Sequence, residues 1–178
     1  NPSANAFVYT VGLQADGRAL VGGTFFQVNG VTRNGIARLH TDGTLDTTFN
    51  PNIEDGGFVY SLATQTDGKI IVAGNFTVIG GQIRNRIARF SAAGQLDTTF
   101  NPNVNPGVNG VVFATALQKD GKLTIGGSFA EVGGVVRTNL ARLSANTSAQ
   151  HALHVDAGGG AVVWTQGGAA PNLARTAF

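Results

Sequence analysis

The chain has 178 residues, contains no Cys and carries a net charge of +2, with only 12% of its residues charged. This length is sufficient to bury a core, and the lack of Cys excludes disulfides and thiolate metal sites. No stretch approaches the ~20 apolar residues of a membrane helix, so no membrane insertion is expected.

The sequence repeats itself three times with a period near 50 residues. Asp-Gly pairs at Asp16, Asp67 and Asp120 are separated by 51 and 53 residues, and the arginines of the I/L-A-R motif show the same two spacings. Such a period indicates one supersecondary unit copied in tandem. We divide the chain into repeat 1 (1–49), repeat 2 (50–100), repeat 3 with a degenerate end (101–150), and a post-repeat tail or partial blade (151–178).

Each repeat predicts four short strands joined by turns. Alternating residues predict the first strand, and a nearly continuous apolar run ending in Gly and Phe predicts a buried second strand. In repeat 1 the elements are a strand at 7–14, a turn at Ala15-Asp16-Gly17, a strand at 18–25, a loop at 27–32, a strand at 34–40, a turn at Thr41-Asp42-Gly43, and a strand at 45–49.

The large side chains of the first strand, Phe7, Tyr9, Val11 and Leu13, are expected on one face, because strand residues alternate with period two. Glycines at the end of the second strand, such as Gly74, are expected to permit close backbone approach.

Two charge pairs are predicted from the register of the second turn. Arg38 and Asp46 are equidistant from the centre of the turn at Asp42, and Arg89 and Asp97 have the same relation in repeat 2. A cross-strand ion pair fixes the register of a hairpin. Repeat 3 has Gln150 at the matching position, so this partner is lost where the repeat ends.

Four antiparallel strands in ~50 residues correspond to one propeller blade. We therefore predict an all-β protein, a β-propeller segment of about three and a half blades with an incomplete ring. A propeller needs typically four to eight blades. Either further blades complete the ring or the chain associates with itself, and the chain is expected to be a fragment of a larger protein.

One run carries a family resemblance. The segment LATQTDGKIIVAGNFTVIGGQIRNRIARFSAAGQLDTTFNPN, at 62–103, resembles the delta-60 repeat, a bacterial β-propeller-like repeat. The matching elements are Q-x-DGK, the V-x-GGxF-type strand end, RNxIAR and LDxTFNP. The resemblance implies a large, secreted or surface-displayed protein and implies no catalytic residues.

No catalytic, cofactor or metal site is predicted. His40 aligns with Ser91 and Ser144, so the repeat does not require it, and His151 and His154 lack the three or four convergent ligands of a metal site. Neither a G-x-S-x-G elbow nor a phosphate-binding G-x-G-x-x-G at a helix start occurs. Because basic residues recur with the repeat, nucleic acid is not an expected partner.

Binding residues are expected where the copies differ, because variable loops on a rigid scaffold usually carry binding. They lie in the inter-repeat loops and near the loop at 25–33: Phe26, Gln27, Glu54, Asp55, Arg86 and Glu131.

The expected function is a non-enzymatic, secreted or cell-surface scaffold that binds a protein or glycan or spaces other modules. One alternative is a structural component of an extracellular filament or matrix. Another is an enzyme with its active site in the propeller channel, which would need acidic residues where the first strand has Phe, Tyr, Val and Leu. Residues from Ser144 onward are expected to leave the blade pattern, with Trp164 buried.

Overall fold

The computed structural model describes residues 1–105, 110–144, 151–155 and 162–166, with side chains for 1–104 and 110–144. The elements of this part are all β-strands. Blade 1 contains β1 (Val8–Leu13), β2 (Ala19–Gly23), β3 (Gln27–Val28), β4 (Val31–Thr32) and β5 (Ile36–Leu39). Blade 2 contains β6 (Val59–Thr64), β7 (Ile70–Gly74), β8 (Val78–Ile79), β9 (Gln82–Ile83) and β10 (Ile87–Phe90). Blade 3 contains β11 (Val104–Asn105), β12 (Val111–Leu117), β13 (Lys122–Ser128), β14 (Glu131–Val132), β15 (Val135–Val136) and β16 (Leu140–Ser144).

Each blade is built on three antiparallel strands, in the orders β1-β2-β5, β6-β7-β10 and β12-β13-β16. The predicted second strand lies in the middle, and all five residues of β7 are buried, as its apolar run indicates. The predicted all-β, tandem-blade architecture is thus confirmed. The sheets remain open at both ends of the arc, as expected for an incomplete ring.

The fourth strand position is occupied by a single bridge rather than by a full strand. Leu39 pairs with Leu45 in blade 1, and Phe90 pairs with Leu96 in blade 2. The Asp46 carboxylate accepts hydrogen bonds from the N–H and hydroxyl of Thr48, at 2.9 and 2.6 Å. These local bonds compete with the ladder, so the pairing ends one residue after it begins.

The predicted loop at 27–32 contains a small hairpin instead. Strands β3 and β4 pair antiparallel around Asn29-Gly30, whose φ angles are 51° and 76°. Two successive positive φ angles define the turn that suits a two-residue hairpin, and Asn-Gly is its preferred sequence. Gly80-Gly81 and Gly133-Gly134 make the same turn in blades 2 and 3. We call the end of the blade that carries this structure the hairpin end, and the opposite end the turn end.

Neighbouring blades share their cores. The inner strand β1 contacts β6, and β6 contacts β12. One cluster joins blades 1 and 2: Leu20, Ile36, Phe49, Ile53, Val59, Ile70, Val72, Phe76, Ile79, Ala88 and Phe90. A second cluster joins blades 2 and 3: Ile71, Ala73, Ile87, Phe100, Val104, Val112, Leu123, Ile125, Phe129, Val132 and Ala141. The three repeats therefore stack face to face as consecutive blades.

The two predicted ion pairs are present. Arg38 Nε donates to Asp46 Oδ2 at 2.9 Å, and Arg89 Nη2 lies 2.9 Å from Asp97 Oδ2. Arg38 is only 2% exposed, and its guanidinium lies 4.5 Å from the centre of the Phe49 ring. It also donates to the carbonyl of Ala92 in blade 2. The pair therefore fixes the hairpin register within a blade and links two blades.

After blade 3, β17 (His151–Val155) and β18 (Val162–Gln166) pair with each other in a two-stranded sheet. The expected burial of Trp164 and the position of Gln150 lie outside the residues whose side chains are described.

Candidate functional site

The six sequence-predicted binding residues all lie at the hairpin end, but on three different blades. Phe26 and Gln27 belong to blade 1, Glu131 lies in β14 of blade 3, and the other three belong to blade 2. The structure thus places them on the same end of successive blades and not in one pocket.

The two acidic residues of the inter-repeat loop bind to their own blade. Glu54 Oε1 accepts a hydrogen bond of 2.8 Å from the Gly81 N–H, within the turn of the small hairpin. Asp55 accepts hydrogen bonds from the N–H and the hydroxyl of Thr77. Burial alone would raise the pKa of the Asp55 carboxyl, but the bonds from Thr77 outweigh it, so the pKa is lowered. These carboxylates hold the loop against the hairpin.

Asn5 makes the equivalent attachment in blade 1. Its side-chain oxygen accepts hydrogen bonds from the N–H groups of Phe26 and Gln27, at 3.0 and 2.9 Å. A neutral amide therefore replaces the Asp55 carboxylate at this position, and the charge of the hairpin end differs between the two blades.

Arg86 has a positive φ of 67°, at the backbone position that Gly35 and Asn139 occupy in the other blades. Its guanidinium donates to the carbonyls of Asn75 and Phe76. Burial lowers the pKa of Arg86, and the Asp55 charge opposes this shift. A non-glycine residue in this conformation costs about 1–3 kcal/mol. The two carbonyl bonds offset part of that cost.

Phe26 is the most accessible apolar group among the six, with 57% of its surface exposed. Gln27 and Glu131 occupy equivalent positions at the start of the small hairpin and are half-buried. Blade 2 has Val78 at this position. An aromatic ring on one blade and a carboxylate on another give the hairpin end a different chemistry on each blade.

A row of aromatic side chains, which was not among the sequence-predicted sites, crosses the inner strands. The rings of Tyr9 and Tyr60 are stacked with centres 5.2 Å apart, and Phe113 meets Tyr60 edge to face at 5.5 Å. Burial, and then the nearby Tyr9, raise the pKa of the Tyr60 phenol. An aromatic residue at the same position of all three copies is the signal that could have identified the row.

Each inner strand has a β-bulge at the position of this row. The register shifts between Val8 and Thr10 in β1, and the equivalent shifts flank Tyr60 and Phe113. The expected single face of large residues in the first strand is found. The Phe7 and Tyr9 rings are stacked with centres 6.3 Å apart, and Val11 and Leu13 are exposed like them. Tyr9 is 49% exposed and Phe113 53% exposed, so the row is accessible on both end blades.

The carboxylates of the turn end are each satisfied locally. Asp16, Asp67 and Asp120 pair with the basic residue two positions later, at 2.6, 2.6 and 2.5 Å. In the part of the chain with described side chains, no group of three or more His, Cys, Asp or Glu residues could hold a metal ion. No helix of the described ranges is long and apolar enough to cross a membrane.

The repeat pattern and blade geometry agree with a known family. The family model described as "Domain of unknown function (DUF5122) beta-propeller" matches residues 14–49, 65–100 and 118–148, which is more than half of the chain. The chain belongs to this family. The three matched segments run from the first turn of each DUF5122 repeat to its end.

Other comparisons add little to the family match. Among solved structures, the extracellular domain of a protein described as a one-component system from B. thetaiotaomicron is similar, with 20% identity and a TM-score of 0.45. The similarity covers 69% of this chain and 14% of that chain, so the chain spans a small part of the length of that relative. None of the curated proteins matches the chain.

Proposed function

We propose that this DUF5122 propeller segment is a non-enzymatic, extracellular or cell-surface scaffold of the delta-60 type that binds a protein or glycan through its hairpin end. The observation that carries the proposal is the contrast between a constant frame and a variable end. The buried Arg–Asp–Phe frame of Arg38 and Arg89 is repeated in blades 1 and 2. The hairpin ends carry Phe26 on one blade and Glu131 on another.

The state of the carboxylates supports a non-enzymatic role. Although burial opposes the shift, hydrogen bonds from side chains and backbone N–H groups lower the pKa of Asp16, Asp42, Asp46, Asp55, Asp67, Asp97 and Asp120. A carboxyl that acts as a general acid at neutral pH needs a raised pKa. These seven carboxylates remain ionised and serve as hydrogen-bond acceptors for the scaffold.

Composition supports an extracellular location. A low charged fraction, 42% apolar residues and many Gly residues suit a secreted β protein. The scaffold would then present its hairpin ends to soluble or surface-bound partners, or hold other modules at a fixed distance.

The test is a binding screen of the purified chain against glycan and extracellular-protein arrays. The affinity for any ligand found is measured again with a double variant that combines Phe26→Ala and Gln27→Ala at the hairpin end of blade 1. The matched control is Lys69→Ala at the turn end, where Lys69 makes only an exposed ion pair with Asp67 at 2.6 Å.

We expect the hairpin-end variant to bind at least about tenfold more weakly, because the loss of an aromatic hot-spot contact costs about 2 kcal/mol or more and about 1.4 kcal/mol corresponds to tenfold. The control should bind like the wild-type chain. Binding that depends on Lys69 and not on Phe26, or an array screen without a single ligand, would contradict the proposal.

A further inference from the structure

Blade 3 has an uncovered face, which we call the trailing face and define by Thr124, Gly126, Arg137, Leu140 and Arg142. Leu140 is 65% exposed, whereas its counterparts Ile36 and Ile87 are 0% exposed. An open depression of about 400 Å³ is lined by Thr124, Arg137, Leu140, Ala141 and Arg142. In blades 1 and 2 the same face is covered by the next blade.

The basic residues of the trailing face show the same contrast. Arg142 is exposed, whereas Arg38 and Arg89 are each 2% exposed. Arg137 is also exposed, although its counterparts Arg33 and Arg84 are buried. The arginine positions that are buried in blades 1 and 2 are therefore accessible on blade 3.

Blade 1 has the complementary uncovered face, which we call the leading face and define by Val8, Thr41 and Asp42. Val8 is 43% exposed, whereas its counterparts Val59 and Val112 are 0% exposed. In the interface between blades 1 and 2, Val59 fills the space beside Gly22, with its Cγ1 2.5 Å from where a Cβ would lie. The equivalent space beside Gly126 on the trailing face has no atom within 4 Å.

We propose that the trailing face of one chain binds the leading face of a second copy, head to tail. Each internal interface of the structure joins a trailing face to a leading face, so the two uncovered faces have the shape and chemistry to form one more interface of the same kind. Val8 of the second copy would occupy the space beside Gly126, as Val59 occupies the space beside Gly22. This proposal does not depend on the ligand of the hairpin end.

Hydrogen bonding and charge support the same occupant. Arg38 donates across the internal interface to the carbonyl of Ala92. Arg142 is the counterpart of Arg38, and Thr41 is the counterpart of Ala92, so Arg142 would donate to the Thr41 carbonyl of the second copy. Repeat 3 has Gln150 where the other repeats have the acidic partner of this arginine. The exposed carboxylate of Asp42 on the second copy would supply the missing negative charge.

The three described blades of each copy would together give six blades, within the range of about four to eight blades that closed propellers have. A trailing-to-leading contact is heterologous, and two such contacts close when the rotation between copies completes the circle. Each copy then contributes one trailing and one leading face.

The experiment measures the mass of the chain in solution by sedimentation velocity and multi-angle light scattering. Wild-type chain should have twice the 18.3 kDa mass of the monomer. Val8→Asp on the leading face and Leu140→Asp on the trailing face should each give monomers with unchanged far-UV circular dichroism. Ile83→Asp is the control, because Ile83 is 70% exposed on β9, away from both faces, and it should remain dimeric.

Mixing the two monomeric variants distinguishes specific head-to-tail binding from nonspecific association and from misfolding. The Val8→Asp chain keeps an intact trailing face, and the Leu140→Asp chain keeps an intact leading face. Their mixture should therefore form a dimer through one good interface, although neither variant dimerises alone. A monomeric wild-type chain at high micromolar concentration, or a mixture that stays monomeric, would overturn the proposal, and a series of longer oligomers would overturn the two-copy ring.

Discussion

The buried carboxylate of Asp46 offers the sharpest test of how the blades are held together. It accepts hydrogen bonds from Arg38 Nε at 2.9 Å, from the Thr48 N–H at 2.9 Å and from the Thr48 hydroxyl at 2.6 Å. Both charged side chains of the Arg38–Asp46 pair are 2% exposed. Asp46→Ala therefore leaves the Arg38 charge buried without its partner.

Removing one member of a buried pair costs about 3–5 kcal/mol. Because small domains are stable by only about 5–15 kcal/mol, Asp46→Ala should remove a large part of the free energy of unfolding. The matched control is Asp42→Ala at the exposed turn, where the carboxylate accepts only local bonds from Thr44, at 2.8 and 2.7 Å. Asp42→Ala should lower the free energy of unfolding by about 1 kcal/mol, the contribution of an ordinary hydrogen bond.

The assay is urea unfolding at pH 7, followed by far-UV circular dichroism, for the wild type and both variants. A third variant, Arg38→Met with Asp46→Leu, should be more stable than Asp46→Ala alone, because replacing both members of a buried pair removes the unpaired charge. Equal losses of stability in Asp46→Ala and Asp42→Ala, or a double variant that is the least stable of all, would show that the Arg38–Asp46 pair does not hold the blade in this way.

Three further outcomes are expected from the wild-type structure. Gly74→Ala should lower the unfolding midpoint much more than Gly12→Ala, because a Cβ at Gly74 meets the carbonyl oxygen of Phe58 at the bulge, whereas a Cβ at Gly12 would lie 4.0 Å from the Leu62 Cβ. Equal midpoints would contradict the bulge geometry. The pKa of Asp46 is lower in the folded chain than the value of about 3.9 expected when it is unfolded, so the ionised carboxylate contributes its full stabilisation above about pH 4. That contribution is lost as the pH falls further. Between about pH 4 and pH 2, the free energy of unfolding should therefore decrease less steeply with falling pH in Asp46→Asn than in the wild type. The raised pKa of Tyr60 should give a tyrosine absorbance step above about pH 10 that Tyr60→Phe removes, and a titration without a late step would refute its burial.

Much of the frame was predictable because the repeat exposes it three times. The spacing of Arg38 from Asp46 about a turn centre was enough to predict their contact, since antiparallel register follows from turn position. Equally, the apolar run of β7 predicted a middle strand, and the glycine at its end predicted the close approach of Phe58. These features depend on local spacing, which a sequence contains directly.

Other features depend on competition between local bonds and sheet pairing. The fourth strand was predicted in full, but the Thr48 bonds to Asp46 end it after one bridge. The Asn29-Gly30 hairpin was predicted as a loop, although its sequence is a strong hairpin signal. The row through Tyr60 consists of ring contacts between the inner strands of neighbouring blades, which the period of a single strand does not show.

The candidate binding residues show what the sequence could not supply. Variation between copies identified Glu54 and Asp55, but their acceptor roles toward Gly81 and Thr77 require the fold of the small hairpin. Whether a variable residue faces a partner or its own blade depends on these contacts. Phe26, which remains exposed, is accordingly the first residue to mutate in a binding study.

The three repeats are consecutive blades in contact and not independent units. The most direct test is an engineered disulfide between inner strands of neighbouring blades, since the chain has no Cys of its own. The Ser61 and Thr115 hydroxyl oxygens are 2.8 Å apart, although 54 positions separate the residues. The variant Ser61→Cys with Thr115→Cys should form an intramolecular disulfide under mild oxidation, seen by mass spectrometry and non-reducing electrophoresis. Thr10→Cys with Thr115→Cys, which spans two blades, should keep free thiols. Free thiols in the first variant, or equal oxidation of both, would contradict the blade arrangement.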